Sequence, residues 1–564
     1  MASQSVSPAP TGEAKIRKPS SEAVHGHVYF RAALLLGFIL SLSIGARIWW
    51  VKYKVTEIEG EGANYARMAE NIALGKGWLG MQGHLQLFYP PLFPLLVAKT
   101  YPLVHDAEIA GRLVSILFGS LLIFPIFFLA RELYGERAGY LAALCVALHP
   151  VLVGISAGVY SESTYLFFLF LAFYLGIRAA RKQDFKWAIA SGTSVGLAYL
   201  ARSEALLAAC FLAGLVLVLG YKNRFKAILV AACLVAACGV LAAPYVWFLK
   251  SETGQFRLEA KSSDNFTYGK MRLAGVPWEQ AFRQIDDNLQ PVGLAMRTDL
   301  DVLKTTRFSL PVTLRFVKLA AHDNGRYLVH DLLEETASGG FVLVGLIAIG
   351  LFASPWNLSR ALQEAAIILF LMLLFLPLLT LVTYWNTRYV LAFLLIAIIW
   401  AANGAVALSE WCGETLVRIR TGRPLKEFGQ IFVATFAVLA MLLVAWSGIS
   451  HVENLRSGDP ALKAAGLYIK EWLASGEVVM DTDNLIAYYS GGAYRPVPYA
   501  SESTALRYID AEKVRVLVIR EQNAETSNPY YAGWISKGIP DPAFSLVGSI
   551  PSQEYGRILI YRRR

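Results

Sequence analysis

Long apolar runs constrain this chain more than any other feature of its sequence. Segments of about 20 residues with few charges recur along the chain, and a helix of that length crosses the ~30 Å hydrocarbon core of a bilayer. Hydrophobic residues make up 55% of the 564 residues and charged residues only 17%, a composition that excludes a soluble protein of this size. The sequence therefore predicts a polytopic α-helical membrane protein.

The apolar runs predict about eleven spans and an orientation for them. The candidate spans are residues 29–50, 110–130, 138–155, 161–179, 187–201, 204–221, 226–249, 340–354, 364–383, 389–408 and 428–449. Arginine and lysine concentrate in alternate connecting loops, which the positive-inside rule places in the cytoplasm together with the amino terminus. An odd number of spans then leaves segments 51–109, 250–339 and 451–564 on the outer face.

The regions that flank or interrupt the spans differ in composition. Residues 1–28, rich in Ser, Pro, Lys and Arg, are predicted to be a disordered cytoplasmic tail ahead of a transmembrane domain at 29–450. Residues 63–74 and 92–104 have the pattern of short helices lying on the outer face. Helical and strand patterns alternate in residues 451–564 and indicate a small α/β domain, without a Gly-rich phosphate loop or a nucleophile motif.

An acidic patch follows the first apolar run and contains Glu57, Glu59 and Glu61. Glu61 is distinguished by two flanking glycines, which let the backbone approach a ligand, and by its position four residues before Tyr65. A carboxylate placed at the lip of the bilayer can take the proton of an attacking hydroxyl. We interpret Glu61 as a candidate general base. An ordinary solvated carboxylate is the alternative, and it is the interpretation we favour for Glu57 and Glu59.

Further ionisable residues are predicted at the outer ends of spans, where buried charges usually line a cavity or pathway. Glu162 begins the fourth span, and it either complements the helix dipole or acts together with Glu61. Arg202 and Glu204 share a tight hairpin and either pair with each other or bind substrate. Arg388 has no acidic neighbour in the sequence, which makes it the better candidate to hold an anion such as a phosphate.

Three other polar residues carry weaker signals. Arg112 opens the second span beside Glu108. Arg112 either pairs locally with Glu108 or is available to bind a phosphate. His84 and His149 each lack a second ligand at helical spacing, so the sequence requires no metal and leaves a divalent cation as an open possibility. The net charge of +10 comes largely from short loops between spans, so we expect membrane lipids as partners and no nucleic acid.

The order of several short motifs is more specific than any one of them. They are Glu61 followed by Tyr65-Ala66, then Gly75-Lys76-Gly77, Tyr89-Pro90-Pro91-Leu92, Ala110-Gly111-Arg112-Leu113, Ala130-Arg131-Glu132-Leu133-Tyr134-Gly135, Tyr160-Ser161-Glu162, Ala201-Arg202-Ser203-Glu204 and Thr387-Arg388-Tyr389. In this order and spacing the chain resembles the C-type (GT-C) membrane glycosyltransferases related to protein O-mannosyltransferases and the lipid A aminoarabinose transferase. The resemblance runs from about residue 30 to 220 and resumes near 388.

The resemblance implies a GT-C-like fold and a polyprenyl-phosphate-sugar donor, used on the outer face with inversion at the sugar carbon. It implies that Glu61 and Glu162 fall on the two acids of the family, which are usually Asp. It also implies that Arg388 lies near the donor phosphate.

This chain departs from the family at Tyr89, where relatives often carry a lysine that meets the phosphate. Binding of the phosphate then depends on Arg388, Arg202 or a basic residue of segment 250–339. The candidate substrate-binding residues are Arg388, Arg202, Tyr65, Tyr89, Arg112 and Glu204.

These observations predict a membrane glycosyltransferase that moves a sugar from a polyprenyl-phosphate carrier to a hydroxyl of a protein, lipid or glycan, with Glu61 as the base. We expect it in a bacterial inner membrane with its site on the periplasmic face. A transporter or polyprenyl-lipid flippase is the alternative and predicts ionisable residues near the bilayer midplane. A non-catalytic subunit that binds polyprenyl lipids is a second alternative, and it would tolerate loss of Glu61.

Overall fold

The computed structural model describes residues 21–337, 340–352, 356–382, 386–421, 435–436, 438–439, 442–443, 459–522 and 527–564. Most of the predicted tail and most of the predicted span at 428–449 lie outside the described residues. The first helix begins at Ser21, within the predicted tail. The domain boundaries drawn from the sequence stay predictions.

The first half of the chain is helical. Its helices are α1 (Ser21–Tyr53), α2 (Gly60–Ala73), α3 (Leu92–Val104), α4 (Ala107–Leu121), α5 (Ile123–Tyr134), α6 (Glu136–Leu148), α7 (Pro150–Ala157), α8 (Glu162–Lys182), α9 (Phe185–Ala201), α10 (Leu206–Leu219) and α11 (Arg224–Thr253). The helices that follow are α12 (Lys261–Leu273), α13 (Trp278–Arg283), α14 (Asp299–Thr305), α15 (Leu310–Ala337), α16 (Gly340–Phe352), α17 (Leu358–Leu381) and α18 (Leu391–Thr421). Short 3-10 turns occupy Ser203–Ala205, Tyr221–Asn223, Leu294–Met296 and Thr387–Val390.

Six helical stretches of the described residues are long and apolar enough to cross a membrane. They cover the predicted spans at 29–50, 110–130, 161–179, 226–249, 364–383 and 389–408. The predicted spans at 204–221 and 340–354 coincide with shorter apolar helices, Ser203–Leu219 and Val342–Phe352. The chain is therefore a multi-pass membrane protein, and the described residues support fewer full spans than the eleven predicted.

The predicted span at 138–155 is broken. Helices α6 and α7 meet at an angle of 51°, and counting the pair as one crossing gives a seventh span in the described residues. His149, between them, has an extended backbone (φ −62°, ψ 121°) because the residue before a proline disfavours the helical region. Pro150 then begins α7, where its missing N–H has no helical partner to lose.

The helices pack around one large apolar core in which small residues permit close approach. Helices α16 and α18 touch at Gly350 and Gly404. A methyl group added at Gly404 would lie 1.9 Å from the carbonyl oxygen of Leu346, so only glycine fits this crossing.

The carboxyl-terminal residues form a mixed sheet. Its strands are β1 (Val478–Asp481), β2 (Ala493–Pro496), β3 (Val514–Arg520), β4 (Phe544–Ser552) and β5 (Gly556–Arg563), in the order β2-β1-β3-β5-β4. Its helices are α19 (Pro460–Lys470), α20 (Leu485–Ser490), α21 (Glu502–Ala511) and α22 (Tyr531–Lys537). Strands β2, β1 and β3 are parallel, and β5 is antiparallel to β3 and β4.

The sheet is joined to α2 and α3, which precede the second candidate span. A second apolar core contains Tyr65 of α2 and Phe93 of α3 together with Ile486 of α20 and Ile560 of β5. Tyr489 adds a polar contact, accepting a hydrogen bond at its hydroxyl from the backbone N–H of Ile58 (2.7 Å). The segment that carries Glu61 is thus packed between membrane helices and the sheet.

The α16–α18 crossing allows a stability prediction. We expect Gly404→Ala to lower the free energy of unfolding by about 1–3 kcal/mol, because the added methyl group forces the two helices apart. Gly214→Ala in α10 is the matched control, since nothing lies within 4 Å of its added carbon and alanine favours a helix. Thermal unfolding in detergent, followed by circular dichroism, compares the two variants. Equal melting temperatures would contradict the tight crossing.

Candidate active site

Helix α2 positions Glu61 in its first turn, with its apolar face buried. A methyl group added at Gly62 would lie 2.8 Å from Cγ1 of Ile58 and 3.0 Å from the carbonyl oxygen of Val159. The glycine therefore lets α2 pack against the segment that precedes Glu162. The sequence interpretation gave the flanking glycines a role toward a ligand, and for Gly62 the structure shows a packing role instead.

Five charged residues from distant parts of the chain meet in one chain of ion pairs, which we name the outer ionic network. Arg388 donates to Glu61 (Nη2 to Oε2, 2.6 Å) and lies 3.0 Å from Glu162 (Nη1 to Oε1). Arg202 donates to the same oxygen of Glu162 from Nη1 (2.8 Å) and to Oε1 of Glu204 from Nε (2.5 Å). Carboxylates and guanidiniums thus alternate through a buried cluster.

Local structure presents each cation of the network. Arg388 lies in the 3-10 turn ahead of α18. Its backbone N–H (3.0 Å) and its Nε (3.1 Å) both donate hydrogen bonds to Oδ1 of Asn386. The guanidinium of Arg388 also lies over the ring of Tyr160, 4.5 Å from the ring centroid. Arg202 directly follows α9 and precedes the turn that carries Glu204.

The charge of Glu61 is set by its partners. Burial alone would raise the pKa of the Glu61 carboxyl, but the positive charges of Arg388, Lys261 and Arg202 outweigh burial and lower the pKa to about 2. Glu61 is therefore a carboxylate at neutral pH. In this state its affinity for a proton is low, which constrains any role as a base.

Two tyrosines form a wall beside Glu61. Tyr65 donates from its hydroxyl to Oγ of Ser161 (3.2 Å), and its ring packs on Tyr89 (centroids 4.7 Å apart) and on Phe93 (5.0 Å). Burial, and then the charge of Glu61, raises the pKa of Tyr65, so this hydroxyl stays protonated. The amide of Asn64 donates to the hydroxyl of Tyr89 at 3.5 Å.

A basic residue of segment 250–339 reaches the site, and it is Lys261. This residue begins α12 and lines a small cavity of about 30 Å³ together with Glu61, Tyr89 and Arg202. The sequence indicated only the segment, because no local pattern shows which lysine of a long loop faces a distant helix. A cation thus lies beside Tyr89, the position at which the sequence resemblance led us to expect a lysine.

Two further cavities adjoin the network. One, of about 20 Å³, has the charged residues Glu162, Arg202 and Arg388 on one side and the apolar Leu374 and Phe375 of α17 on the other. The second is larger, about 380 Å³, and shares Phe88 and Tyr89 with the cavity at Glu61. The polar lining residues of the larger cavity include Asn64, His84, Asp264, Asp299, Asp483 and Asn484.

The guanidinium of Arg112 binds protein groups away from the outer ionic network. Its Nη2 donates to Oε1 of Glu108 (2.5 Å) and to the carbonyl oxygen of Glu57 (3.2 Å), and its Nη1 donates to the carbonyl oxygen of Ala157 (3.3 Å). The local pair with Glu108 is thus the one observed. We no longer include Arg112 in the proposed phosphate-binding set.

The other two acids of the patch differ from the sequence interpretation. Glu57 is 1% exposed and accepts a hydrogen bond from the hydroxyl of Thr56, so its interpretation as a solvated carboxylate is wrong. Burial raises the pKa of Glu59 against the opposing effect of a hydrogen bond with Tyr160. Glu59 therefore holds a proton more readily than Glu61 and is a second candidate base, which sequence spacing did not indicate.

Metal ligands do not cluster in the described part of the chain, where no group of three or more His, Cys, Asp or Glu side chains could hold an ion. His84 lines the larger cavity, and His149 is fully buried at the α6–α7 break. The possible use of a divalent cation stays a prediction.

Comparisons with known proteins agree with this architecture. A family model described as dolichyl-phosphate-mannose-protein mannosyltransferase matches residues 89–248. The structure of ArnT from Cupriavidus metallidurans bound to undecaprenyl phosphate is similar, with a TM-score of 0.56, 12% identity, and coverage of 94% of this chain and 97% of that one. The chain has the GT-C fold. The resemblance seen in the sequence is confirmed at that level.

A second solved structure extends the comparison. The Archaeoglobus fulgidus oligosaccharyltransferase tethered to an acceptor peptide has a TM-score of 0.54 and 12% identity, and the match covers 95% of this chain and 74% of that one. No curated protein sequence matches this chain. Identities this low establish the fold, so the roles of individual residues have to be argued from this chain alone.

The contacts of Glu61 predict that its pKa changes when Arg388 is removed. We expect Arg388→Gln to raise the pKa of the Glu61 carboxyl from about 2 to its ordinary value or above, because burial is then opposed only by Lys261 and Arg202. Isotope-edited infrared spectra of glutamate-labelled protein, recorded from pH 3 to 7, report the protonated carboxyl. Subtracting the Glu61→Gln spectrum isolates this residue. An unchanged titration would contradict the dominant role of Arg388.

Proposed function

We propose that this protein transfers a sugar from a polyprenyl-phosphate-linked donor to an acceptor hydroxyl on the outer face of the membrane. The observation that carries the proposal is the meeting of Glu61 with Arg388, Arg202 and Lys261 around adjoining cavities. A carboxylate for the acceptor proton and cations for a leaving phosphate are what this reaction needs from a protein. The GT-C fold supports the proposal, as does the undecaprenyl phosphate bound to the similar ArnT.

In the proposed reaction the acceptor hydroxyl oxygen attacks the anomeric carbon, and its proton passes to Glu61. The bond between the anomeric carbon and the phosphate oxygen breaks, and its electron pair leaves with the polyprenyl phosphate, which gains one negative charge. Attack opposite the leaving group inverts the anomeric centre. Lys261, Arg388 and Arg202 stabilise the leaving phosphate, because charge that develops in a water-poor site is most effectively met by preorganised cations.

The donor also activates the base in this mechanism. With Arg388 at 2.6 Å, Glu61 is too weak a base to take a proton efficiently. A donor phosphate that recruits Arg388 removes the strongest stabilisation of the Glu61 carboxylate, so the proton affinity of Glu61 rises. The base would then become competent only when the leaving group is in place, which limits unproductive chemistry.

Glu162 fits a positioning role better than a second base. Its Oε1 faces both Arg388 (3.0 Å) and Arg202 (2.8 Å), which holds the two guanidiniums side by side. It also begins α8, where the helix dipole favours a negative charge. We propose that Glu162 and Glu204 orient the cations, while Tyr65 and Tyr89 shape the wall at which the sugar lies.

The compartment follows from the orientation of the chain. Basic loops at one end of the spans assign that end to the cytoplasm. The network then faces the other side, which is the periplasm if the chain resides in a bacterial inner membrane. The apolar wall contributed by α17 lies beside the cations and suits the first isoprene units of a lipid carrier.

The base assignment is tested by comparing two neighbouring acids. We expect Glu61→Gln to lower kcat for transfer from a radiolabelled polyprenyl-phosphate sugar by about 10²–10⁴-fold, because a general base is lost. Glu59→Gln, a change of the same chemistry two residues away, should keep most of the activity. Donor binding, measured in parallel, shows that each variant is folded. If Glu59→Gln is the inactive one, Glu59 is the base. If both variants retain activity, neither acid is the base, and a parent protein that transfers sugar from no polyprenyl donor would refute the glycosyltransferase proposal.

Binding of the donor phosphate is tested separately at Lys261. We expect Lys261→Ala to weaken binding of undecaprenyl phosphate about tenfold or more, since a charge-assisted contact to phosphate contributes roughly 1.5–3 kcal/mol. Lys261→Arg should restore much of the affinity because it keeps the charge. Lys304→Ala, on the exposed surface of the same outer segment, is the control. Unchanged affinity in Lys261→Ala would assign the phosphate to the arginines alone.

A further inference from the structure

The largest of the three cavities around the site is not explained by donor binding. It has a volume of about 380 Å³, within the ~300–1,000 Å³ typical of ligand pockets. Phe88 and Tyr89 line both this cavity and the smaller one at Glu61, so the two are adjacent. Its lining is about half polar, a larger share than in the cavity beside Arg388. A ligand in it would lie beside Glu61 but away from the apolar wall.

Three separate regions of the chain build this cavity. The first outer segment contributes residues 80–89, and the segment from Asp264 to Asp299 contributes a second wall. The third wall is the Thr482–Asn484 loop, which directly follows β1. Strand β1 lies between β2 and β3, so the chain runs from β1 to β2 on one side and then crosses to β3 on the other side. In parallel sheets, ligands bind outside the carboxyl ends of the strands at such a switch point.

Three carboxyl groups and one arginine, Arg297, are among the polar side chains of the lining. Asp264, Asp299 and Asp483 present carboxyl groups, and burial raises the pKa of Asp264 to about 6 and that of Asp299 to about 7. Oδ2 of Asp299 already accepts from the backbone N–H groups of Leu87 and Phe88, and Oδ1 of Asp483 accepts from Leu485. The remaining acceptor capacity of these groups is available to a donor-rich ligand.

Asn484 gives an independent indication of a ligand. Its side chain is only 9% exposed, and its Oδ1 is buried without a hydrogen-bond partner among the described residues. A buried acceptor left unpaired costs about 1–3 kcal/mol, so a group that donates to it would be stabilised. The Nδ2 of the same side chain donates to the carbonyl oxygen of Gly60 (2.9 Å), the residue next to Glu61. Asn484 therefore links this cavity to the candidate base.

We propose that this cavity binds the acceptor, and that the acceptor is a neutral, hydroxyl-rich glycan. Hydroxyl groups donate to carboxyl and amide oxygens, and one sugar ring offers several, whereas a peptide backbone offers one N–H per residue. Aromatic side chains of Phe88, Tyr89, Phe282 and Tyr494 add apolar surface for the faces of the rings. The three carboxyl groups outnumber the one arginine of the lining, Arg297, which disfavours phosphorylated or carboxylated acceptors. The inference rests on the proposed transfer reaction for its functional meaning.

The carboxyl-terminal sheet then acquires a function. Its β1 loop supplies one wall of the acceptor site, while its apolar core holds α2 and hence Glu61. Recognition of the acceptor by the sheet and proton removal by α2 are mechanically linked through the Asn484–Gly60 hydrogen bond.

The experiment measures glycan binding to the full chain in lipid nanodiscs, without donor. The probes are neutral oligosaccharides on an array, sialylated oligosaccharides, and a Ser/Thr-rich peptide. We expect binding of at least one neutral glycan, and a tenfold or larger loss of affinity in Asp264→Asn and in Asp483→Asn. Asn288→Ala, an exposed side chain of the same outer segment, is the control and should bind like the parent.

Three outcomes would overturn the inference. They are preferential binding of the peptide, equal binding of sialylated and neutral glycans, and neutral-glycan binding that is unaffected by both cavity variants. Undecaprenyl phosphate binding is measured on the same samples. A protein that binds this lipid in a Lys261-dependent way but binds no neutral glycan refutes the acceptor inference alone. A protein that binds neutral glycan through Asp264 but fails to bind the lipid supports the cavity assignment and refutes the proposed transfer reaction.

Discussion

The bridge that Arg388 makes between Glu61 and Glu162 is the interaction on which the rest of the outer face depends. It joins α2, which is not among the candidate spans, to the ends of two spans, α8 and α18. Removing either carboxylate leaves the buried guanidinium of Arg388 with a single partner, and breaking a buried ion pair typically costs about 3–5 kcal/mol. The bridge is therefore both a constraint on helix arrangement and a site from which a substrate anion can displace one carboxylate.

Much of this arrangement was visible in the sequence, for identifiable reasons. Apolar length and the positive-inside rule are local properties, so the main spans and the location of Glu61, Glu162 and Arg388 at one shared end of them followed from the sequence. The bend at His149 was missed because a run of apolar residues hides the effect of one proline. The burial of Glu57 was missed because its neighbours in space come from other segments. Arg112, for example, donates to the carbonyl oxygen of Glu57.

The same limit applies to the candidate site. Spacing placed Glu61 at the start of a helix but gave Glu59 no distinction, since the contact of Glu59 with Tyr160 depends on the fold. Lys261 lies about 200 residues from Glu61 in the sequence, and only the packing of α12 against the first outer segment reveals its proximity. The larger cavity needs three segments at once, and its wall from the β1 loop could not be inferred from any one of them.

The network is also matched to the charge changes of the proposed reaction. The three carboxylates of Glu61, Glu162 and Glu204 face the guanidiniums of Arg202 and Arg388, and Lys261 adds a further positive charge near Glu61. When the acceptor proton reaches Glu61, one carboxylate is neutralised while the departing phosphate gains one negative charge. In the proposed reaction Arg388 lies beside both Glu61 and the departing phosphate. The total negative charge next to its guanidinium therefore stays the same as the proton moves. Such an arrangement needs little reorganisation during the reaction, which is how preorganised charges lower a barrier.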